Sequence, residues 1–396
     1  MSRSGKTIGL VLAGAPRYSE TFLINKIKGL IFSGFRVILF TDKRTEVEHE
    51  FHEIAGYRLP VNSVFRVFAV MSVLAVLCLR TPKRLLRFYR LERTDGSDIG
   101  LFAKRVFVSA HILPFKIDYL HFCFATLGVN RENLGKTLGA RVSVSFRGFD
   151  IGLFPLSRPG VYGRLWKSLD KVHTISDDLY RKATALGLPE SVPCVKIMPA
   201  VDPELFIHER DYGRSTNFIR ILTVARLQWK KGLEMAIDAM AILKARGVRF
   251  EYKIIGEGVE KERLLFARYQ WDLQEEVVLE GKKQHFEVAE LMRDYDIYIQ
   301  PSLQEGFCNA VLEAQASGLL CIVSDAEGLA ENVIDGVTGW IIARGDATSL
   351  ANMIMSVSKL RSAEKSRVGA RAVERIKKDF SLEGQRRQFV RFFEHS

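Results

Sequence analysis

The sequence predicts an α/β protein of two doubly wound, Rossmann-like domains facing a central cleft. Three observations carry that expectation. The chain has 396 residues, more than one ordinary core holds and enough for two domains of roughly 150–200 residues. Short β-rich runs alternate with helical patterns through both halves, as in open, mostly parallel sheets covered by helices on both faces. Between the halves, residues 199–217 hold two prolines, several acids and little periodicity, and read as a linker. The domains are therefore expected at 1–203 and 204–380, with a final helix at 381–396 packing back on the first. Ligands of such sheets bind beyond the carboxyl ends of the strands, so a two-domain cleft is the expected site.

The elements follow in order. Thr7–Ala13 reads as a buried strand, Glu20–Ser33 as a helix and Phe35–Thr41 as the next strand. Ile117–Phe122, Arg141–Phe146 and Lys171–Ile175 are further short β-rich runs with helical patterns around them. After the linker, Arg220–Val224 restarts the series, and Leu233, Ile237 and Met240 share one helical face. Phe250–Ile255, Val277–Glu280, Asp296–Gln300 and Leu320–Ser324 are strands, and 288–293 and 308–317 are helical. The tail from Ser381 has the pattern of a basic amphipathic helix.

Composition narrows the class. Hydrophobic residues make up 47% of the chain, enough for a sizeable core. The net charge of +12 favours an anionic partner: nucleic acid, an acidic membrane surface or a phosphorylated substrate. The cations are spread out, apart from a concentration at 80–93, and lack the basic-aromatic clustering of a nucleic-acid surface. Five scattered cysteines with no CxxC pair speak against a disulfide framework or a zinc site and fit a reducing cytosol. The first residues run straight into a strand without the apolar stretch of a signal peptide. Residues 64–79 are nearly all apolar, but Arg66 leaves an uninterrupted run of 13, Val67–Leu79, short of the ~20 needed to span a bilayer. Two readings stay open for it: a buried helix, or one dipping into an anionic bilayer with the help of 80–93.

Five stretches carry candidate chemistry. In QEGFCNAVLEA, 304–314, a strand ends, a Gly-containing loop turns and a helix begins near Cys308 or Asn309. Its N-terminus, with Gly306 and Phe307 before it, suits an anion. Glu305 and Glu313 are eight positions apart, at most ~12 Å along a helix axis, the scale of a sugar, diphosphate and ribose. The same glutamates also suit a first-turn acid and a solvent-facing helix acid. In ARLQWKKG, Arg226 and Lys231 stand at a strand-to-helix junction and would neutralise a diphosphate, with Lys230 in solvent. Gly256 and Gly258 bracket Glu257 after a strand, either as a tight turn or to admit a base or ribose. Gly14 and Ala15 follow the first strand, and Ser19 is a plausible N-cap. Arg147, Gly148 and Asp150 follow another strand and would face the cleft, unless this is a plain loop.

ARLQWKKG, IIGEGVEKERL, PSLQEGFCNAVLEAQASG and GLAENVIDGVTGWII together resemble the retaining GT-B glycosyltransferases of the group 1 family (glycosyltransferase family 4). RYSETFLINKIKGLIFSGFRVILFTD and VSFRGFDI resemble the branch that builds bacterial exopolysaccharides, such as the colanic acid transferases. The resemblance covers nearly the whole chain. It implies that Glu305 contacts the donor sugar, Glu313 holds the ribose, and Arg226 and Lys231 neutralise the leaving diphosphate. Gly306, Phe307, Cys308 and Asn309 would offer backbone N–H groups, and Glu331 would lie near base or sugar. No metal cofactor is implied, and no Asp-x-Asp motif occurs. The first domain would take the acceptor. Arg147-Gly148 stands where the family often has His-Gly, so a phosphate or acceptor role is the expectation for Arg147. Met198–Asp202 lacks the usual Asn-Gly, and Ala326-Glu327-Gly328 replaces a common double glycine.

The reading is a cytoplasmic, membrane-associated enzyme. It moves a sugar from a nucleotide diphosphate donor (UDP or GDP) to a growing surface glycan, lipid-linked or oligosaccharide. Its rivals are a nucleotide-sugar epimerase of the same fold, a non-catalytic nucleotide-sugar binder and, on charge alone, a nucleic-acid binder.

Overall fold

The computed structural model describes residues 5–16, 21–43, 51–57, 63–213 and 218–394. Two units emerge: Met1–Ile197 with Arg386–Ser396, and Met198–Gln385.

The first unit is built on seven parallel strands: β1 (Thr7–Leu12), β2 (Arg36–Thr41), β3 (Glu53–Ala55), β4 (Tyr119–Phe122), β5 (Arg141–Ser145), β6 (Lys171–Thr174) and β7 (Cys194–Lys196), in the order β3-β2-β1-β4-β5-β6-β7. TIGLVL and RVILFT are apolar almost without alternation because their strands are covered on both faces. One core joins Ile8, Leu10 and Leu12 of β1 to Leu23, Ile27 and Leu30 of helix α1 (Thr21–Phe32). The same core takes Phe389, Phe392 and Phe393 from the helix Leu382–Glu394, each contributing about 1.5–3 kcal/mol by burial.

Three helices fill the long connection from β3 to β4: α2 (Ser63–Arg80), α3 (Pro82–Thr94) and α4 (Ile99–Ser109). Pro82 opens α3 at a position where its missing N–H costs nothing. Asp98 caps α4, accepting from Leu101 N at 2.7 Å. Glu92 of α3 is fully buried and accepts from Arg105 at 2.5 Å, Ser97 at 2.7 Å and Asn133 at 2.9 Å. Burial pushes its carboxyl up, but these donors outweigh it and hold the pKa below the usual value. Helix α2 matches the buried-helix reading of 64–79 on one face only. Val73 and Leu77 are buried, whereas Phe65, Val67, Phe68, Met71, Val76 and Leu79 are exposed. It is a core helix on one side only.

The second unit holds six parallel strands: β8 (Ile219–Val224), β9 (Phe250–Ile255), β10 (Val277–Gly281), β11 (Ile297–Gln300), β12 (Leu320–Ser324) and β13 (Trp340–Ile342), in the order β10-β9-β8-β11-β12-β13. Its core places Ile221, Ile237, Met240, Tyr252, Ile297 and Ile322 together. The segment read as a linker is bolted to this unit. Arg210 donates to the carbonyls of Ser317 at 3.0 Å, Met292 at 2.5 Å and Tyr295, and Tyr212 donates to Gly318 O at 2.6 Å.

Strands β3, β7 and β13 were not foreseen. Each has three residues and lies at a sheet edge, where a short run with one neighbour leaves little periodicity to read.

Candidate functional site

In the second unit, strand order reverses between β8 and β11. Loops leaving the carboxyl ends on either side of such a point diverge and leave a crevice. Main-chain packing fixes these loops. Gly232 has φ +63°, and a Cβ there would lie 2.1 Å from Pro301 O. Beside it, Lys230 O accepts from Leu303 N at 2.8 Å and Gln304 N at 3.2 Å. Gly256, with φ +146°, and Gly258 would bring a Cβ to 1.9 Å from Ala225 O and 2.1 Å from Leu227 O. Leu227 N–H donates to Glu257 O at 3.0 Å. The GxG therefore clamps the β9 loop onto the β8 loop, and this packing alone demands both glycines.

Lys231, after β8, hydrogen bonds through Nζ to Glu305 Oε2, after β11. Their side chains are 11% and 14% exposed, so the pair sits in the crevice wall with little water. Burial works against the Lys231 charge, but Glu305 prevails and raises its pKa. Arg226 is exposed and close enough to act on both neighbouring lysines by charge repulsion. Lys230 is half-buried rather than solvated, and burial lowers its pKa.

The helix after β11 spans Asn309–Ala316 with Cys308 at its N-cap. Asn332, fully buried, grips that cap twice: Cys308 N–H donates to Asn332 Oδ1 at 3.1 Å, and Asn332 Nδ2 donates to Cys308 O at 2.8 Å. The Cys308 N–H, expected to face an anion, is thus spent within the protein. Burial pushes the Cys308 thiol up to about 11. Gly306 and Phe307 are buried, and Phe307 packs on Phe380 with centroids 6.0 Å apart. Gly328 N–H donates to Glu305 O at 3.1 Å, tying the β11 and β12 loops. Glu331 is half-buried, and Arg375 donates to its carbonyl at 2.9 Å.

Glu313 lies one turn into the helix and accepts from His285 Nε2 at 3.0 Å. That bond raises the His285 pKa against burial. Neither His285 nor Asn332 was singled out in the sequence. They reach their partners across 28 and 24 residues, and only the segment around Glu331 pointed near Asn332.

The first unit holds the remaining candidates. Gly14 and Ala15 follow β1, with Ala15 buried, and Ser19 lies outside the described residues. Arg147 is half-buried, its guanidinium 4.2 Å from the ring centroid of Phe22. Asp150, expected to face the cleft, is fully buried. It accepts from Ala125 N and Arg147 N, both at 2.7 Å, because the main chain at two loop ends needs an acceptor there. Beneath Arg147 lies a polar chain that the sequence did not suggest. Buried Lys26 donates to His121 at 2.7 Å, Ser145 bridges His121 and His173, and His173 meets Ile197 O. Burial lowers the Lys26 pKa to about 8. Among the described residues, no three His, Cys, Asp or Glu side chains gather as around a metal ion.

Comparison with known proteins agrees with this layout. Residues 207–375 match the family model described as glycosyl transferases group 1. The chain is 30% identical over 364 residues to the amylovoran biosynthesis glycosyltransferase AmsK of Erwinia amylovora, covering 87% of this chain and 88% of that one. It is 27% identical over 391 residues to WcaL of Escherichia coli K12, named for colanic acid biosynthesis, covering 94% and 96%. Among solved structures, HepE of Anabaena, crystallised with UDP and glucose, superposes with a TM-score of 0.74 at 16% identity over 99% and 100% of the chains. A glycosyltransferase of Rickettsia africae gives 0.73 at 18% identity over 99% and 98%. Two parallel-sheet units with such neighbours make the GT-B fold. With the cation–carboxylate pair at the strand switch, the fold and a relative matched over most of its length, the chain belongs to the group 1 glycosyltransferases.

Proposed function

We propose that this protein transfers a sugar from a nucleoside diphosphate sugar to a hydroxyl of a growing bacterial exopolysaccharide carried on a lipid diphosphate. The reading includes retention at the anomeric carbon, no metal requirement and work at the cytoplasmic face of a membrane. One observation carries it: the Lys231–Glu305 pair at the β8/β11 switch, with Arg226 beside it and Glu313 one turn into the following helix. Relatives named for amylovoran and colanic acid biosynthesis support the product class, and the UDP and glucose of HepE support the donor class.

The chemistry follows from charge. The bond from the anomeric carbon to the diphosphate oxygen breaks, and negative charge grows on that oxygen. Arg226 and Lys231 stabilise it where a metal ion acts in other enzymes. The acceptor oxygen attacks from the face the phosphate leaves, and its proton passes to the departing phosphate oxygen. Glu305 orients the sugar, and Glu313 takes the ribose hydroxyls. The N–H groups of Gly306, Phe307 and Asn309 receive phosphate or sugar oxygens, and Glu331 lies near the base or sugar. Arg147, in the first unit, is assigned to the acceptor's phosphates. Positioning and electrostatics carry the rate.

The test is a thermal-shift screen against UDP- and GDP-sugars, then transfer assays with the stabilising donor in excess chelator. Transfer by the natural chain and none by Lys231→Ala is the expected result. Donor bound and left intact, free nucleotide or rearranged sugar without transfer, or a strict metal requirement would overturn the reading.

A further inference from the structure

Helix α2 is inside out for a helix of a water-soluble face. Its body side carries Val73 and Leu77. On the opposite arc lie Phe65, Val67, Phe68, Met71, Val76 and Leu79, with Phe68 69% and Leu79 85% exposed. The only polar side chain among them, Ser72, returns its hydroxyl to Ala69 O at 3.0 Å. Isolated exposed apolar residues are ordinary, but a continuous apolar face along ~21 Å of helix is not.

The charges around it have one sign. Residues 63–91 contain Arg66, Arg80, Lys83, Arg84, Arg87 and Arg90 and no acid. The next residue, Glu92, has its carboxylate buried on Arg105, Ser97 and Asn133, and so offsets none of that charge outside. Arg84 turns inward to the carbonyls of Leu113 at 2.7 Å and Phe115 at 2.9 Å. Arg80, Lys83, Arg87 and Arg90 are exposed, with Leu86 and Tyr89 between them. Helix α3 leaves α2 at a bend of 120°. An apolar arc on one helix thus meets a cationic helix at its end.

We propose that this α2–α3 elbow seats on an anionic lipid bilayer, with α2 lying along the interface and α3 against the headgroups. The apolar arc enters the acyl boundary while the cations meet lipid phosphates. Among the described residues no single helix is long and apolar enough to cross a membrane, and α2 and α3 reach that length and hydropathy only as a pair bent by 120°. The exposed cations of α3 place it against headgroups rather than in the acyl core. A second copy of the chain fits worse. A two-fold contact through α2 would bring two cationic α3 helices toward each other. The proposal rests on the first unit alone and needs no sugar transfer.

The full chain, without donor, is mixed with phosphatidylcholine vesicles and with vesicles that also contain phosphatidylglycerol, then sedimented. Binding to the anionic vesicles about ten-fold tighter than to the neutral ones is expected. Phe68→Asp with Met71→Asp abolishes it, and Arg87→Glu with Arg90→Glu removes the anionic preference. All four positions are exposed, and circular dichroism checks that both variants stay folded. A polarity-sensitive dye on Cys78, the one exposed cysteine among the described residues, shifts to the blue on docking. Absence of binding to anionic vesicles overturns the proposal. So does a dimer in sedimentation velocity that Phe68→Asp with Met71→Asp splits.

Discussion

Glu313 accepts a hydrogen bond from His285 Nε2 at 3.0 Å, and His285 in turn rests edge-on against Phe206 with centroids 5.0 Å apart. One carboxylate oxygen is therefore held in place before any ligand arrives. His285→Gln is expected to raise KM for the donor about three- to ten-fold, the size of one modest hydrogen bond, and to leave kcat nearly unchanged. Equal loss in kcat and kcat/KM would remove His285 from this role.

The same pair gives a pH dependence of stability. Glu313 raises the His285 pKa above the usual 6.5, so the folded chain holds that proton more tightly than the unfolded one. The stabilisation is complete below 6.5 and is lost as pH rises through the raised value. The melting difference between the natural chain and His285→Gln should be widest in acid and shrink toward alkaline pH. A difference independent of pH contradicts it.

Glu305→Gln keeps the shape of the carboxylate and removes its charge. A fall in kcat/KM of about 100- to 1,000-fold is expected, the scale for one group acting on developing charge. Urea unfolding should show a folded protein. Ordinary turnover would take Glu305 out of the site.

Asn332→Ala leaves the N–H of buried Cys308 without its acceptor, while the Cys308 carbonyl keeps its bond from the helix that follows. A loss of about 1–3 kcal/mol in denaturant unfolding is expected, together with weaker donor binding. Asn332→Asp keeps the acceptor and loses the donor, so it should fall between. Equal stability of the alanine variant would show that the cap holds without it.

Asp150→Ala leaves two buried N–H groups unmet and should cost about 2–5 kcal/mol. Burial pushes the Asp150 carboxyl up to about 7. Its stabilisation is thus largest below the ordinary 3.8 and declines as pH rises toward 7. The gap between the natural chain and the variant should narrow over that range. A gap that widens would mean the two N–H donors hold the carboxylate charged.

The central strands were legible because burial on both faces turns sequences such as RVILFT and LCIVS into apolar runs. The donor-side candidates were legible because strand-loop-helix junctions concentrate Gly, Lys and Glu in order. What stayed hidden depends on distant partners. His285 is a lone histidine until the fold brings Glu313 to it. Asp150 looks like a loop acid until Ala125 is seen to need an acceptor. Lys26 reads as one more surface cation of a helix, yet it is buried against His121 and the Phe389 ring.

The helix Leu382–Glu394 has a consequence for how the protein is made. Phe389, Phe392 and Phe393 belong to the core of the first unit, but the ribosome adds them after the whole second unit. The first unit therefore emerges early and waits with an open apolar groove beside β1 and α1. The second unit can close as soon as its own residues are out. Maturation then runs against chain order, with the earlier half completed last. Released chains truncated before Phe389 should hold a protease-resistant second unit and a first unit that trypsin still opens.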